Sequence, residues 1–552
     1  MSTDATHEVR NQSTPLVGVN LYEGDRALRD ALAFHRPGAD ENARHALGAM
    51  LGSAAMQQHA RLANLHRPVL HTHDRVGHRI DEVEFHPSYH ALIGAAIGAG
   101  LHATPWTRGP GAHVERAAAF VQFTALEPSV LCPVSMTYAV APALAGNAAV
   151  HADWFARLAS TAYDPRLVPF SQKAGLTMGM GMTEKQGGSD LRANSTVARF
   201  DADTPWGRCH RLTGHKWFLS APMCDAFLVL AQTGAGLGCF FVPRVLPDGT
   251  RNAIHLQRLK DKLGNHANAS SEVEFTGAAA WPVGEEGRGI AQILEMGTLT
   301  RLDCALGTAG LMRQATSLAL HHARQRHAFG RRLLDQPVMK NVLADLALES
   351  EAATALALRV ARCVDGGADP FEAALRRVLT PAAKFWVCKR GSALAQEAME
   401  CLGGNGYVEA AGEGTMARIY REMPLNSIWE GAGNIMALDL LRALRRGHET
   451  RDALSAELAT TQGADPRLDR LAAALQARLD DAGDGTADET EARRLAADVA
   501  LAVQASLLRR HAPDFVFEAF CRSRLEHGAP PVFGQLRADE ALDDIVARAL
   551  PA

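Results

Sequence analysis

The segment Arg421-Glu-Met-Pro-Leu-Asn-Ser-Ile-Trp-Glu-Gly-Ala-Gly-Asn434 sets one carboxylate, Glu430, between an aromatic residue, Trp429, and a glycine-rich turn. The residues just before Trp429 carry no charge. A carboxylate in such surroundings is partly desolvated, which raises its pKa and makes it a stronger base near neutral pH. Gly431 and Gly433 remove side chains, so backbone N–H groups there can approach a ligand closely. The same segment also reads as a helix start, with Asn426 or Ser427 as N-cap and Glu430 in the first turn. Taken alone, it fits either reading.

A second motif lies far upstream, Met180-Gly-Met-Thr-Glu-Lys-Gln-Gly-Gly-Ser-Asp190. Gly187 and Gly188 permit a tight loop, and Thr183 and Ser189 supply hydroxyls. Such a loop can present N–H groups and hydroxyls to a flavin edge or a diphosphate, or it can be an ordinary hairpin or helix-entry turn. Gly214-His-Lys-Trp-Phe-Leu-Ser220 follows, with Trp217 on a β-prone run beside a hydroxyl; a core aromatic is its plain alternative. Arg324-Gln-Arg-His-Ala-Phe-Gly330, followed by Gln336, reads as a basic turn after a helix, where cations also complement the macrodipole. Cys401-Leu-Gly-Gly-Asn-Gly-Tyr407 suits a dinucleotide diphosphate or a simple helix-to-helix turn.

Working outward, the 552 residues are too many for one simple core. The abundance of Ala favours helix over strand. Texture divides the chain into four regions. Residues 1–175 read as a helical domain with an extended lead, and 176–288 as a β domain of short apolar runs between Gly and Pro turns. Residues 289–447 read as long helices of a bundle, and 450–552 as a further helical domain. A net charge of −4 argues against a uniformly basic nucleic-acid binder. The nine cysteines are scattered without a C-x-x-C pair, which suits a reducing cytoplasm and indicates neither a disulfide framework nor a zinc cluster. Met1 to Arg10 lacks the apolar stretch of a signal peptide, and Ala91 to Leu101 is too short to span a bilayer. His66, His71, His73, His78, His86 and His90 fall in one stretch, but their spacing fits no zinc pattern; no metal site is expected.

In this order and spacing, the motifs from about residue 60 to 447 resemble the acyl-CoA dehydrogenase flavoprotein superfamily. The form of the two longest motifs, the Asn20-Leu-Tyr22 lead and the extra C-terminal region look like its AidB branch, linked to the adaptive response to alkylation damage. The resemblance implies a mainly α fold with an inserted β domain: an N-terminal helical domain, a middle β-barrel or sandwich, a four-helix bundle and a C-terminal helical extension. It implies FAD, an acyl-CoA substrate and a homotetramer; either an electron-transferring flavoprotein or oxygen would reoxidise the flavin, and no membrane association is expected. By the same resemblance, Met182, Thr183, Gly188, Ser189, Trp217 and Ser220 line the flavin, as do Trp429, Gly431 and Asn434. Arg326, Phe329 and Gln336 reach the FAD of a neighbouring subunit, and Gly403, Gly404 and Gly406 lie at its diphosphate end. Glu430 aligns with the catalytic base, which takes the α-proton of a short or branched acyl-CoA as the β-hydride leaves.

Some positions depart from that pattern. One subclass carries its base Glu where this chain has Thr300, beside Arg301, and Thr cannot serve as that base. Glu400 replaces a Gln beside the glycine loop, and Arg442 is placed either to pair with Glu430 or to pack the bundle. AidB relatives use the appendage to bind double-stranded DNA through a basic surface. Here residues 450–552 hold 12 Arg and no Lys against 18 Asp and Glu, so the region is net acidic. Phosphate binding needs clustered cations rather than a positive total. Arg493, Arg494, Arg509, Arg510, Arg522 and Arg524 are the candidates for nonspecific contact, within an alternative role as a DNA-binding protective flavoprotein with weak dehydrogenase activity.

Overall fold

The computed structural model describes residues 6–409, 415–526 and 528–551. The N-terminal part is built from α1 (Arg26–His35), α2 (Glu41–Gly52), α3 (Ala54–Leu65), α4 (Pro87–Gly98), α5 (Ala112–Leu126), α6 (Leu131–Leu144) and α7 (Ala148–Leu158). Their starts follow from sequence. Asp25 accepts from Leu28 N and Asn147 from Val150 N, each satisfying a first-turn donor that the helix leaves open. Between α3 and α4 lies an antiparallel hairpin, β1 (Val69–His73) and β2 (Arg79–Glu84), which the helical texture of this region had concealed.

The middle of the chain forms β3 (Met178–Gly181), β4 (Val197–Thr204), β5 (Gly207–Leu219), β6 (Ala226–Thr233), β7 (Gly236–Pro243), β8 (Ile254–Leu259) and β9 (Ser271–Pro282). The strand path is β3-β6-β4-β5-β9-β7, and β6 also pairs with β7, so the sheet closes on itself. β6 and β7 are buried along most of their length, as their continuous apolar runs require.

Long helices follow: α8 (Gly289–Gln325), α9 (Pro337–Asp365) and α10 (Pro370–Cys401). A short hairpin, β10 (His327–Ala328) and β11 (Arg331–Arg332), separates the first two. Pro337 and Pro370 occupy first-turn positions, where the missing N–H costs nothing. α8 lies close against α5: a Cβ on Gly310 would sit 2.4 Å from the Val121 carbonyl oxygen, so glycine sets the approach of the two helices. After α11 (Gly404–Tyr407) and α12 (Thr415–Glu422), α13 (Gly433–Arg446) packs on α10 and completes the bundle.

The C-terminal helices are α14 (His448–Ala459), α15 (Pro466–Gly483), α16 (Ala492–His511), α17 (Asp514–Phe520) and α18 (Leu542–Ala549). Buried ion pairs tie them to the bundle. Arg524 meets Asp345 and Glu349 of α9, Arg548 meets Glu351 at 2.9 Å, and Arg359 forks onto Glu457 at 2.9 Å through both Nε and Nη2. Each buried guanidinium is bidentate or shared between carboxylates, the geometry that offsets its desolvation. Among the described residues no helix is long and apolar enough to cross a membrane.

Candidate active site

Glu430 is not in a helix. Met423–Ser427 forms a single 3-10 turn, α13 begins only at Gly433, and between them Glu430 has φ +61° and Gly431 φ +103°. The helix-start reading of this segment is therefore corrected. Asn426 caps nothing; its side chain accepts from Trp429 Nε1 at 3.0 Å and donates to Thr308 Oγ1 at 3.1 Å. A left-handed Glu is strained and persists only when its surroundings fix it. Arg301 Nε donates to the Glu430 carbonyl at 2.9 Å, and Lys384 Nζ donates to the Gly431 carbonyl at 2.6 Å. Position 431 favours glycine, because φ +103° is a conformation that side chains with a Cβ rarely adopt.

The Glu430 side chain is half-buried, and Thr300 Oγ1 donates to its Oε2 at 2.6 Å. Burial raises its pKa above the ordinary carboxylate value; the Thr300 hydrogen bond and the Lys384 and Arg301 charges only partly offset that. Arg301 is itself oriented by Asp439 at 3.0 Å, which also takes Arg377 at 2.7 Å. Arg442 is 3.7 Å from Asp439 and more than half exposed, so it belongs to this bundle cluster and does not pair with Glu430.

Cys132 of α6 feels the Glu430 charge and lies against the side chains of Ser220 and Asn268; burial pushes its thiol up to about 12. Asn268 is 2 % exposed, yet neither its amide oxygen nor its nitrogen has a well-formed hydrogen bond among the described residues. A buried orphan amide is costly unless a ligand or water meets it. It lines a cleft of about 310 Å³ with Arg67, Lys260, Lys262 and His266. Lys262 is pulled down to about 8 by burial. At the junction of the three domains, Glu422 of α12 accepts from the backbone N–H and side chain of Asn265; burial and the nearby Glu127 push it up to about 7.

The loop from Met180 to Asp190 is held from beneath. Glu184 and Lys216 form an ion pair at 2.7 Å with both side chains fully buried. Glu184 also accepts from Ser195 N, Ser195 Oγ, Thr196 N and Thr196 Oγ1 at 2.6–3.1 Å. Burial alone would raise the Glu184 carboxyl, but its bonds from Lys216 and Thr196 outweigh that and hold it well below the usual range. Burial lowers Lys216 to about 8, so the pair is ionised at neutral pH. Trp217 N donates to the Thr183 carbonyl at 2.9 Å, and a Cβ on Gly188 would strike the Thr183 hydroxyl. The Met182 carbonyl is fixed by Asn194 Nδ2 at 2.9 Å. Thr183, Gly188 and Trp217 are thus neighbours, and Ser220, the residue after β5, lies against Cys132. The Thr183 and Ser189 hydroxyls make no hydrogen bond among the described residues, and Lys260 stands 3.2 Å over the Trp217 ring.

The other predicted positions fall into two groups. Phe329 tips the β10–β11 hairpin with φ +50° and is 97 % exposed; Gln336 Nε2 bonds the Ala328 carbonyl at 2.9 Å, and Arg326 holds the carbonyl of Asn11. Gly403 (φ +61°), Gly404 and Gly406 form a turn whose Asn405 bonds Gln12 at 3.2 Å, so hairpin and glycine loop both touch the N-terminal lead. Neither group contacts Glu430. Glu400 is exposed, and Asn434 lies in the first turn of α13.

The six arginines of the appendage do not form one cationic face. Arg524 is 1 % exposed and committed to Asp345 and Glu349, so it is withdrawn as a phosphate contact. Arg509 pairs with Asp514 at 2.9 Å, Arg510 with Glu457 at 3.1 Å, and Arg522 with Asp539 at 3.0 Å and Glu540 at 3.1 Å. Arg493 stacks over Phe385, and the exposed Arg494 is 3.8–3.9 Å from Glu491 and Asp498.

Sequence reasoning missed Lys216 as the partner of Glu184, and Lys384, Asn268 and Lys262 as lining residues. A lysine inside an apolar strand run is the signal that pointed to the first; the others had none.

Known proteins agree with this architecture. Residues 11–165 match the adaptive response protein AidB N-terminal domain, 179–278 the acyl-CoA dehydrogenase middle domain, and 287–445 the acyl-CoA dehydrogenase C-terminal domain. The AidB protein of Escherichia coli (strain K12) is 50 % identical over 477 residues, covering 86 % of this chain and 87 % of that one. Acyl-CoA dehydrogenase family member 11 of Caenorhabditis elegans is 30 % identical over 69 % of this chain and 63 % of its own length. The solved structure of Caenorhabditis elegans ACDH-11 in complex with C11-CoA superposes with a TM-score of 0.84 at 26 % identity, covering 95 % of each chain. Family members use FAD. The chain belongs to the acyl-CoA dehydrogenase family of flavin-dependent oxidoreductases, in its AidB branch.

Proposed function

We propose that the protein catalyses α,β-dehydrogenation of a short or branched acyl-CoA with Glu430 as the base. The observation that carries this is the half-buried Glu430 carboxylate, held on a left-handed turn by Thr300 and Arg301, with its pKa raised and the Cys132 thiol near enough to feel its charge. The free hydroxyls of Thr183 and Ser189 and the Trp217 ring fit the polar edge and flat face of FAD. FAD, when bound, supplies the hydride acceptor. Glu430 takes the α-proton, and its own backbone N–H is a donor for the thioester carbonyl as charge develops there. No second acid is needed, because no leaving group departs.

Arg67, Lys260 and Lys262 give the adjoining cleft the charge that a CoA diphosphate requires, although Asp261 and Glu272 neutralise part of it. Asp303 lies one turn from Thr300 on the same face of α8, ~4.5 Å along the axis. It forms a buried pair with Arg116, whose guanidinium stacks on Tyr138 and Phe120. An electron-transferring flavoprotein as oxidant, a homotetramer seated partly on the exposed Phe329 hairpin, and a role in the alkylation response belong to the same reading. The nine buried, unpaired cysteines support a cytoplasmic setting.

The test is an anaerobic titration of the purified holoprotein with acyl-CoA thioesters of graded length and branching. Bleaching of the flavin absorbance by short or branched thioesters, and not by long straight ones, is the expected result. A flavin that none of them reduces overturns the reading.

A second reading, nonspecific duplex DNA binding with weak dehydrogenase activity, is favoured by a set of cations that takes only Arg493 from the appendage candidates. Arg377 and Arg442 converge on the single carboxylate of Asp439, while Arg493 and Lys389 flank Phe385 beside α13. This reading expects retention of duplex DNA that falls steeply with salt and weakens in Arg442→Gln with Arg493→Gln, but not in Arg509→Gln. Retention unaffected by the first pair of changes excludes this surface.

A further inference from the structure

We infer that Thr300 is a positioning residue that anchors Glu430 in one side-chain orientation in both of its protonation states. The inference rests on Glu430 being the base. Thr300 Oγ1 is 2.6 Å from Glu430 Oε2 and 3.1 Å from the Gly297 carbonyl oxygen. A hydroxyl has one hydrogen and two lone pairs, so it serves only one of these acceptors at a time.

When Glu430 is ionised, the hydroxyl donates to the carboxylate. When Glu430 has taken a proton at Oε2, the carboxylic O–H donates to Thr300 Oγ1 and the threonine hydrogen turns to Gly297. No heavy atom moves, and every hydrogen has a partner in each state. The base can therefore gain a proton without losing its anchor, and its orientation is set before substrate arrives.

The charges around the carboxylate are otherwise engaged. On α8, Arg301 is spent on the Glu430 carbonyl and Asp439, and the Cys304 thiol is neutral, its pKa raised by burial. On α10, Lys384 is spent on the Gly431 carbonyl. On α6, the Cys132 thiol is neutral as well. Among the described residues, Thr300 alone hydrogen-bonds the carboxylate group itself. The competing explanation is ordinary back-bonding of a helical threonine to the carbonyl three residues earlier, with the contact to Glu430 incidental.

The experiment compares wild-type holoenzyme with Thr300→Val, which keeps the shape, and Thr300→Ser, which keeps the hydroxyl. Two quantities are followed against pH: the rate of flavin reduction by a thioester that reduces the wild type, and the infrared carboxyl titration of the resting protein after subtraction of Glu430→Gln. Removing a donor to the ionised form raises the pKa of the base, so in Thr300→Val both curves shift about one pH unit upward and the reduction rate on the rising limb of the profile falls about ten-fold. Thr300→Ser restores both. Superimposable curves for wild type and Thr300→Val overturn the inference, as does a Thr300→Ser that behaves like Thr300→Val. Should Glu430→Gln still reduce the flavin, it is the assignment of the base that fails.

Discussion

Lys216→Met is expected to destabilise the β domain by about 3–5 kcal/mol and to release FAD from the purified protein. Lys216 and Glu184 are both fully buried at 2.7 Å, and Lys216 Nζ also donates to the Leu230 carbonyl at 2.8 Å. Methionine fills the same volume but leaves the Glu184 carboxylate without its counter-charge. Glu184 then either stays ionised at high cost or takes a proton, and a protonated carboxyl accepts more weakly from the donors of Ser195 and Thr196. These bonds hold the Thr183 side of the loop, so the loss passes directly to the surface assigned to the flavin. Glu184→Gln is expected to do comparable harm. The double variant is expected to be less damaged than the sum of the two, because the penalty of an unpaired buried charge is counted once in each single change. Thermal unfolding and the flavin-to-protein absorbance ratio measure both effects. A Lys216→Met protein with wild-type stability and full flavin content contradicts the account.

The contrast between these two residues shows what can be read along the chain. Glu184 lies inside a motif whose glycines and hydroxyls announce a loop, and Lys216 lies inside an apolar run that announces a strand. Neither announces the other, because their meeting depends on how β5 registers beneath that loop. The β domain was legible for the same local reasons: short apolar, β-prone runs set between Gly and Pro turns mark strands. The β1–β2 hairpin was not, since β1 alternates between exposed and half-buried positions and carries two histidines, and β2 is mostly charged, so both resemble the polar helical surroundings.

Arginine is the hardest residue to place from sequence. Arg522 and Arg524 are two positions apart, yet one reaches the exposed Asp539 and the other lies wholly inside against Asp345 and Glu349. The partners of Arg524 are 175–179 residues away, so composition could not separate a surface cation from a structural one. Glu430 was legible as a chemical group but not as a conformation. Gly431 hinted at a turn, and the structure extends the left-handed region to Glu430 itself, with Arg301 and Lys384 holding the two flanking carbonyls.

Glu430→Gln is expected to slow flavin reduction by acyl-CoA about 10²- to 10⁴-fold while leaving the fold and the flavin content intact. Glutamine preserves volume, and its amide oxygen still accepts from Thr300 Oγ1, so the turn keeps its anchors through Arg301 and Lys384. Only the capacity to take a proton is lost. Thioester binding should change little, because the carbonyl donor is the backbone N–H of residue 430, which the substitution retains. The pH dependence has a defined sign. The base works when ionised, so reduction by the wild type rises with pH through the Glu430 pKa, which burial places above the ordinary carboxylate value. In Glu430→Gln that rise disappears and the residual rate is flat across the same window. Tight binding with a flat, slow profile identifies the proton acceptor. A variant that reduces the flavin at the wild-type rate, with the wild-type pH dependence, assigns the base to another group, and Asp303 would not serve because Arg116 holds it in a buried bidentate pair.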